Sequence, residues 1–112
     1  VKQLSSIAVK LLQLHDGWVI GTAADPSCDL KTVRDIDIMI PWSNWSKAAL
    51  LVPEEAHPNT FGGWKFDKDG VTYDVWPDEL GSCLSNAFTK WVWHYRSGIR
   101  WNRASANVGV LL

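Results

Sequence analysis

The residues whose types and spacing suit chemistry are three aspartates: Asp35 and Asp37 in Asp35-Ile36-Asp37-Ile38, and Asp74 between Tyr73 and Val75. Successive side chains of an extended strand point to opposite faces, so Asp35 and Asp37 share one face and the two isoleucines the other, with the aspartate Cα atoms roughly 7 Å apart. The stretch from Val71 to Trp76 has the same grammar, with Val71, Tyr73 and Val75 facing one way and Thr72, Asp74 and Trp76 the other. On neighbouring strands, about 4.8 Å apart, the three carboxylates converge on one patch. Carboxylates at that spacing raise one another's proton affinity unless a cation sits among them. Hard oxygen donors suit Mg²⁺ or Mn²⁺. Mg²⁺ keeps several waters and takes its remaining ligands from substrate phosphates, and a pair of such ions stabilises the attacking and leaving oxygens of phosphoryl transfer. An Asp-x-Asp pair alone is ordinary on a solvated strand edge. The joint pattern with Asp74 carries the weight.

A fourth residue follows from register. Trp64 to Lys68 and Val71 to Trp76 flank Asp69-Gly70, the dipeptide of a two-residue hairpin loop. If Lys68 pairs with Val71, counting back sets Lys65 opposite Asp74 on the same face. Lys65 is therefore expected to reach the acid patch, neutralising Asp74 without metal or contacting a phosphate.

The elements that must hold these residues are legible in the periodicity. Apolar residues at positions 4, 7, 8, 11, 12 and 14 predict an amphipathic helix from Val1 to His15, ended by Asp16-Gly17. Trp18 to Gly21 reads as a first strand, Thr22 to Arg34 as a loop or short poor helix broken by Pro26, and Asp35 to Ile40 as a strand stopped by Pro41. Ser43 to Val52 predicts a helix before Pro53, and Asp78 to Phe88 another, capped by Asp78 after Pro77. Trp91 to Tyr95 alternates, and Ser97-Gly98 turns it toward Ile99 to Trp101 as a second hairpin. Gly62-Gly63 serves to turn the chain into the first hairpin, and Arg34 marks the entrance of the Asp35 strand. The expected fold is α/β (α+β): a small mixed sheet with helices mainly on one face and the acid patch on the open one.

Taken together, Ile20-Gly21-Thr22, a spacer through Arg34, Asp35-Ile36-Asp37-Ile38 and the later Asp74 resemble the signature of the nucleotidyltransferase superfamily related to DNA polymerase beta. The match covers Trp18 to Trp76. The resemblance implies that Asp35 and Asp37 ligate the catalytic and nucleotide-bound metals, and that Asp74 supports the catalytic one and helps deprotonate an acceptor hydroxyl. It implies also that Gly21 and Thr22 approach the triphosphate. Thr22 departs from the usual Gly or Ser, and the chain lacks room for the helical substrate domain many relatives append. The acceptor site is then expected from the C-terminal third, a second subunit or a separate partner. The implied reaction moves a nucleoside monophosphate from a nucleoside triphosphate to an acceptor hydroxyl of a small molecule such as an aminoglycoside, an RNA end or a protein. Two further readings stay open: a catalytically degenerate relative that binds nucleotide or a protein partner, and a Trp-rich carbohydrate- or nucleic-acid-binding module.

Composition fits one domain over residues 1–112, with the motif region at 18–76 and an aromatic, basic hairpin region at 90–103. Hydrophobic residues make up 46% and charged ones 21% of the chain, which excludes a disordered segment. The formal net charge of -1 conceals a basic C-terminal end, with Lys90, Arg96, Arg100 and Arg103 and no acid after Glu79. Such a flank beside an acidic metal site suits a polyanionic substrate. Cys28 and Cys83 lack metal-ligand spacing and are expected as reduced thiols, and the three histidines, His15, His57 and His94, share no zinc spacing. The first 14 residues are too interrupted for a signal peptide or span, so a cytoplasmic protein without membrane contact is expected. The first residue is Val, which suggests a trimmed chain or fragment. Eight tryptophans are expected mainly in core or interface. Trp76 shares the face of Asp74, within reach of a base, with core packing the favoured reading. Trp91, Trp93 and Tyr95 form a stripe suited to binding bases or sugars or to pairing two copies of the chain, the interface being the favoured reading.

Overall fold

The computed structural model describes residues 4–25, 27–60, 62–81, 92–96, 99–102 and 109–111. The first element is helix α1, Ser6–Leu14, capped by Ser5, whose Oγ accepts from the Ala8 amide at 3.2 Å. That bond satisfies one of the amides the first turn of a helix leaves without an internal partner. The apolar spacing read in the sequence becomes a buried stripe of Ala8, Leu11 and Leu12.

Eight strands follow: β1 Trp18–Ile20, β2 Asp35–Pro41, β3 His57–Pro58, β4 Trp64–Lys68, β5 Val71–Asp78, β6 Val92–Arg96, β7 Ile99–Asn102 and β8 Gly109–Leu111. They form one sheet in the order β3-β4-β5-β2-β1-β6-β7-β8. The pair β2 and β5 is parallel, and the remaining neighbours are antiparallel. The sheet is therefore mixed and the fold is α+β. A parallel neighbour requires a crossover. Here the chain leaves β2 through a helical stretch made of a 3-10 turn, Trp42–Asn44, the short helix α2, Trp45–Ala48, and a second 3-10 turn, Ala49–Leu51. It returns to β5 by way of the edge strand β3 and its neighbour β4.

The two faces of the sheet differ as the alternation requires. Val19, Ile36, Ile38, Ile40, Tyr73 and Val75 are buried together with Ala8, Leu11, Leu12 and Ala48, so α1 and α2 lie on the same face. Each fully buried Ile, Leu or Val stabilises the fold by about 1.5–3 kcal/mol relative to an exposed one. Two polar contacts fix the layers. The Ser5 amide donates to the Tyr73 hydroxyl at 3.0 Å, and the Trp93 indole N–H donates to the Ala23 carbonyl at 3.2 Å. Phe66 stacks on Tyr73 at 5.3 Å between centroids, extending the core under β4.

Several expectations need correction. Asp78 does not cap a helix: it ends β5, is buried, and pairs in register with Pro41. Pairing with the long β2 carries the strand through Pro77, which the sequence suggested as a break; proline is tolerated so near a strand end. Residues 82–88 of that expected helix lie outside the described residues. By contrast, the loop or short poor helix expected over Thr22 to Arg34 agrees with the two 3-10 turns found there, Gly21–Ala24 and Leu30–Thr32. The hairpin of β6 and β7 exists, with Arg96 opposite Ile99, yet β6 is an interior strand flanked by β1 and β7. Trp93 is 1% exposed and Tyr95 packs against the core. An exposed aromatic stripe is thus not formed by these two residues, and Trp91 lies outside the described residues. Strands β3 and β8 were not anticipated; two and three residues long, they carry too little alternation to read.

Candidate functional site

The parallel register of β2 and β5 places Asp37 opposite Asp74 and Asp35 opposite Thr72. The buried positions of both strands alternate with these residues, so the aspartates stand together on the face away from the helices. The close pair is Asp37 and Asp74, with Asp35 more exposed and two residues nearer the start of β2. Asp37 is half-buried, and its carboxyl is pushed up from 3.8 to about 6. Burial is the largest cause, followed by the negative charges of Asp74 and then Asp35, while Lys65 opposes them. The three carboxylates share one electrostatic environment. Among the described residues, however, no three His, Cys, Asp or Glu side chains are gathered closely enough to hold a metal ion by themselves.

Lys65 lies where the hairpin register puts it. Asp69 and Gly70 occupy the loop with φ of 53° and 79°, the left-handed values a two-residue hairpin turn of this kind requires. Lys68 pairs with Val71 and Lys65 with Asp74. The Lys65 ammonium stands 3.6 Å from Asp74 Oδ2. Sequence reasoning missed the second partner of this carboxylate, Asn59. Its amide Nδ2 donates to Asp74 Oδ1 at 3.4 Å and to the Val75 carbonyl at 3.3 Å, and its Oδ1 accepts from the Gly63 amide at 2.8 Å. Gly63 makes this close approach possible, since a Cβ there would lie 1.9 Å from the Val75 carbonyl oxygen. The signal for Asn59 was thin. It precedes the Gly62-Gly63 turn by three residues, and only the pairing of β3 with β4 brings it over β5.

Gly21 sits at the end of β1, where Ile20 pairs with Asp37. Its φ is +73°, and a Cβ on it would come within 3.1 Å of Asp37 Oδ2. A residue without a side chain is what leaves that carboxylate open from the β1 side. Thr22 is exposed in the next turn, and its carbonyl accepts from the Asp25 amide at 3.1 Å. Arg34 is exposed and its carbonyl accepts from the Thr72 amide, so it does mark the entrance of β2.

Beyond the acids the same face opens into a cleft of about 560 Å³, bordered by Met39 and Trp76 from the ends of β2 and β5, by Thr60 and Gly62, and by Pro77 to Leu80. Met39 and Trp76 are register partners, each two residues past Asp37 and Asp74. The histidines are scattered. His15 terminates α1 and its carbonyl accepts from the Asn44 amide; His57 lies exposed in β3; His94 is buried against Trp18, with Nε2 3.7 Å from Asp16 Oδ1. No described helix is long and apolar enough to cross a membrane. The chain matches no family model, no curated protein and no solved structure.

Proposed function

We propose that this chain is a metal-dependent nucleotidyltransferase of the DNA polymerase beta-like superfamily, transferring a nucleoside monophosphate from a nucleoside triphosphate to an acceptor hydroxyl. The observation that carries the reading is the juxtaposition of Asp37 and Asp74 on parallel neighbours, with Asp35 on the same face and Gly21 against the Asp37 carboxylate. The donor set fits Mg²⁺ (or Mn²⁺): the three candidates are carboxylates, and Mg²⁺ is commonly held by one or two of them plus substrate phosphates. A site that shares its ion with a triphosphate needs no complete protein cage.

In this reading Asp35 and Asp37 would hold the metal with support from Asp74, and the metal when bound would neutralise charge on the phosphates and on the reacting oxygens. Gly21 and Thr22 line the approach of the triphosphate, and Lys65 exchanges Asp74 for a phosphate oxygen. Asp74 accepts the proton of the acceptor hydroxyl as its oxygen bonds to the α-phosphorus; the bond from that phosphorus to the bridging oxygen breaks, and pyrophosphate leaves. Positioning and charge neutralisation supply most of the catalysis of such transfers. The acceptor is a small molecule, an RNA end or a protein hydroxyl, and the proposed setting is cytoplasmic.

One observation favours a second reading, a relative that binds nucleotide without transfer. Both oxygens of Asp74 already have partners, Lys65 and Asn59. Triphosphate labelled at the α-phosphate, offered with Mg²⁺ to a panel of acceptors, separates the two. Label on an acceptor supports transfer, Mg²⁺-dependent binding without label supports the second reading, and neither binding nor label contradicts both.

A further inference from the structure

We propose that the cleft beside the acid pair binds a small molecule carrying a protonated amine on a flat apolar body. At about 560 Å³ it falls in the size range of small-molecule sites. Among the described residues its walls are apolar, made by Met39, Trp76, Pro77 and Leu80, and its polar lining residues are Thr60, Asp78 and Glu79. Among the described residues the lining offers acceptors and negative charge and no cationic side chain. Asp37 and Asp74 stand two residues away on the same strands and the same face.

That charge pattern selects among occupants. A phosphate or carboxylate would be desolvated beside the Glu79 carboxyl, whereas an ammonium gains Coulomb attraction from it at the rim. Trp76 adds a second source of selectivity. Its indole presents a π surface that attracts a cation and stacks on a planar ring, contacts that Met39 complements with a polarisable thioether. An amine attached to an aromatic or similarly flat group satisfies both the walls and the rim. A neutral alcohol satisfies the walls alone.

The place of this ligand in the reaction rests on the proposed nucleotidyl transfer. Trp76 lies two residues, roughly 7 Å of strand, beyond Asp74. A hydroxyl on the ligand's body would therefore reach the carboxylate assigned to take its proton, and the cleft would be the acceptor side of the site. Binding of the amine itself does not depend on that role.

The test is calorimetric titration of the full chain, without nucleotide or metal, with phenethylamine, phenethyl alcohol and 3-phenylpropionate. The amine is expected to bind about tenfold or more tighter than the alcohol, and the anion to show no binding. Glu79→Gln, at an exposed position, is expected to lower the affinity for the amine severalfold and leave that for the alcohol unchanged. Trp76→Leu, shown folded by its thermal melt, is expected to weaken both. Equal affinities for the three probes, or an amine affinity untouched by both substitutions, overturns the inference. Loss of amine binding alongside intact binding of Mg²⁺ and ATP sinks this inference alone. Amine binding without any nucleotide binding upholds the cleft and removes its role as an acceptor site.

Discussion

Asp37 and Asp74 occupy the same register position on two adjacent parallel strands, separated by 36 residues of crossover, and both point away from the helices. The arrangement places like charges side by side on a half-buried surface, which a folded chain tolerates only at some cost in stability. The cost is visible in Asp37, whose carboxyl is held near 6 by burial and by its two acidic neighbours. Function, in the proposed reading, is what the arrangement serves.

The first prediction concerns that cost. The folded pKa of Asp37, about 6, exceeds its ordinary 3.8, so the folded chain binds more protons than the unfolded one between those values. Stability from this group is full below about pH 3.8 and is lost as pH rises to about 6. Asp37→Asn should therefore be more stable than the native chain at pH 7, by about 1 kcal/mol once the ~3 kcal/mol equivalent of the shift is discounted for solvent screening. Near pH 3.5 the advantage should vanish. Urea denaturation at the two pH values measures it, and a variant less stable at pH 7 contradicts the assigned environment.

Metal binding should carry the same signature. A carboxyl must lose its proton to become a ligand, so affinity for Mg²⁺ with a triphosphate should rise as pH passes through about 6 and level off above it. Calorimetry in buffers of different ionisation heat counts the protons released. Release of about half a proton per site near pH 6, approaching one below it, is expected, and a flat pH profile would remove Asp37 from the ligand set.

Lys65→Met separates two roles of one cation. Lys65 competes with metal for Asp74 and is proposed to contact phosphate when nucleotide arrives. Removing it should tighten Mg²⁺ binding in the absence of nucleotide by about fivefold, the equivalent of ~1 kcal/mol for a solvated ion pair. The affinity for Mg²⁺ with ATP should fall. If both affinities move in the same direction, the phosphate role is wrong.

Two glycines should respond differently to alanine. Gly63→Ala would set a Cβ 1.9 Å from the Val75 carbonyl oxygen, so the turn over β5 must rearrange, at about 3 kcal/mol or more. Gly21→Ala keeps the backbone path, with a left-handed strain of about 1–2 kcal/mol, and crowds Asp37 Oδ2. The former should lower the melting temperature strongly; the latter should keep the fold and weaken binding of Mg²⁺ with ATP. Melts and titrations of the pair distinguish a structural glycine from one at the site.

The parts of this picture that could be read in advance share a physical basis. A period of two residues fixed which side chains of β2 and β5 share a face, and the Asp69-Gly70 loop fixed the register that sets Lys65 against Asp74. Both are local rules. What escaped them was tertiary. Asn59 reaches Asp74 only because the short β3 pairs with β4, and Asp78 stays in a strand beyond Pro77 only because β2 offers it a partner. Trp93 looked like surface because its alternation suited an edge, yet β1 covers that edge and the indole enters the core. The cleft beside Trp76 is assembled from three separate segments, and no spacing in the sequence announces it.

The proposed chemistry turns on a negatively charged pair that takes up cation and triphosphate together. Calorimetric titration of ATP into the native chain and into Asp37→Asn, each with and without Mg²⁺, addresses it most directly. Binding by the native chain that requires Mg²⁺ and disappears in a folded Asp37→Asn is the predicted result. Equal binding by both chains, or none by the native chain at millimolar Mg²⁺, would contradict it.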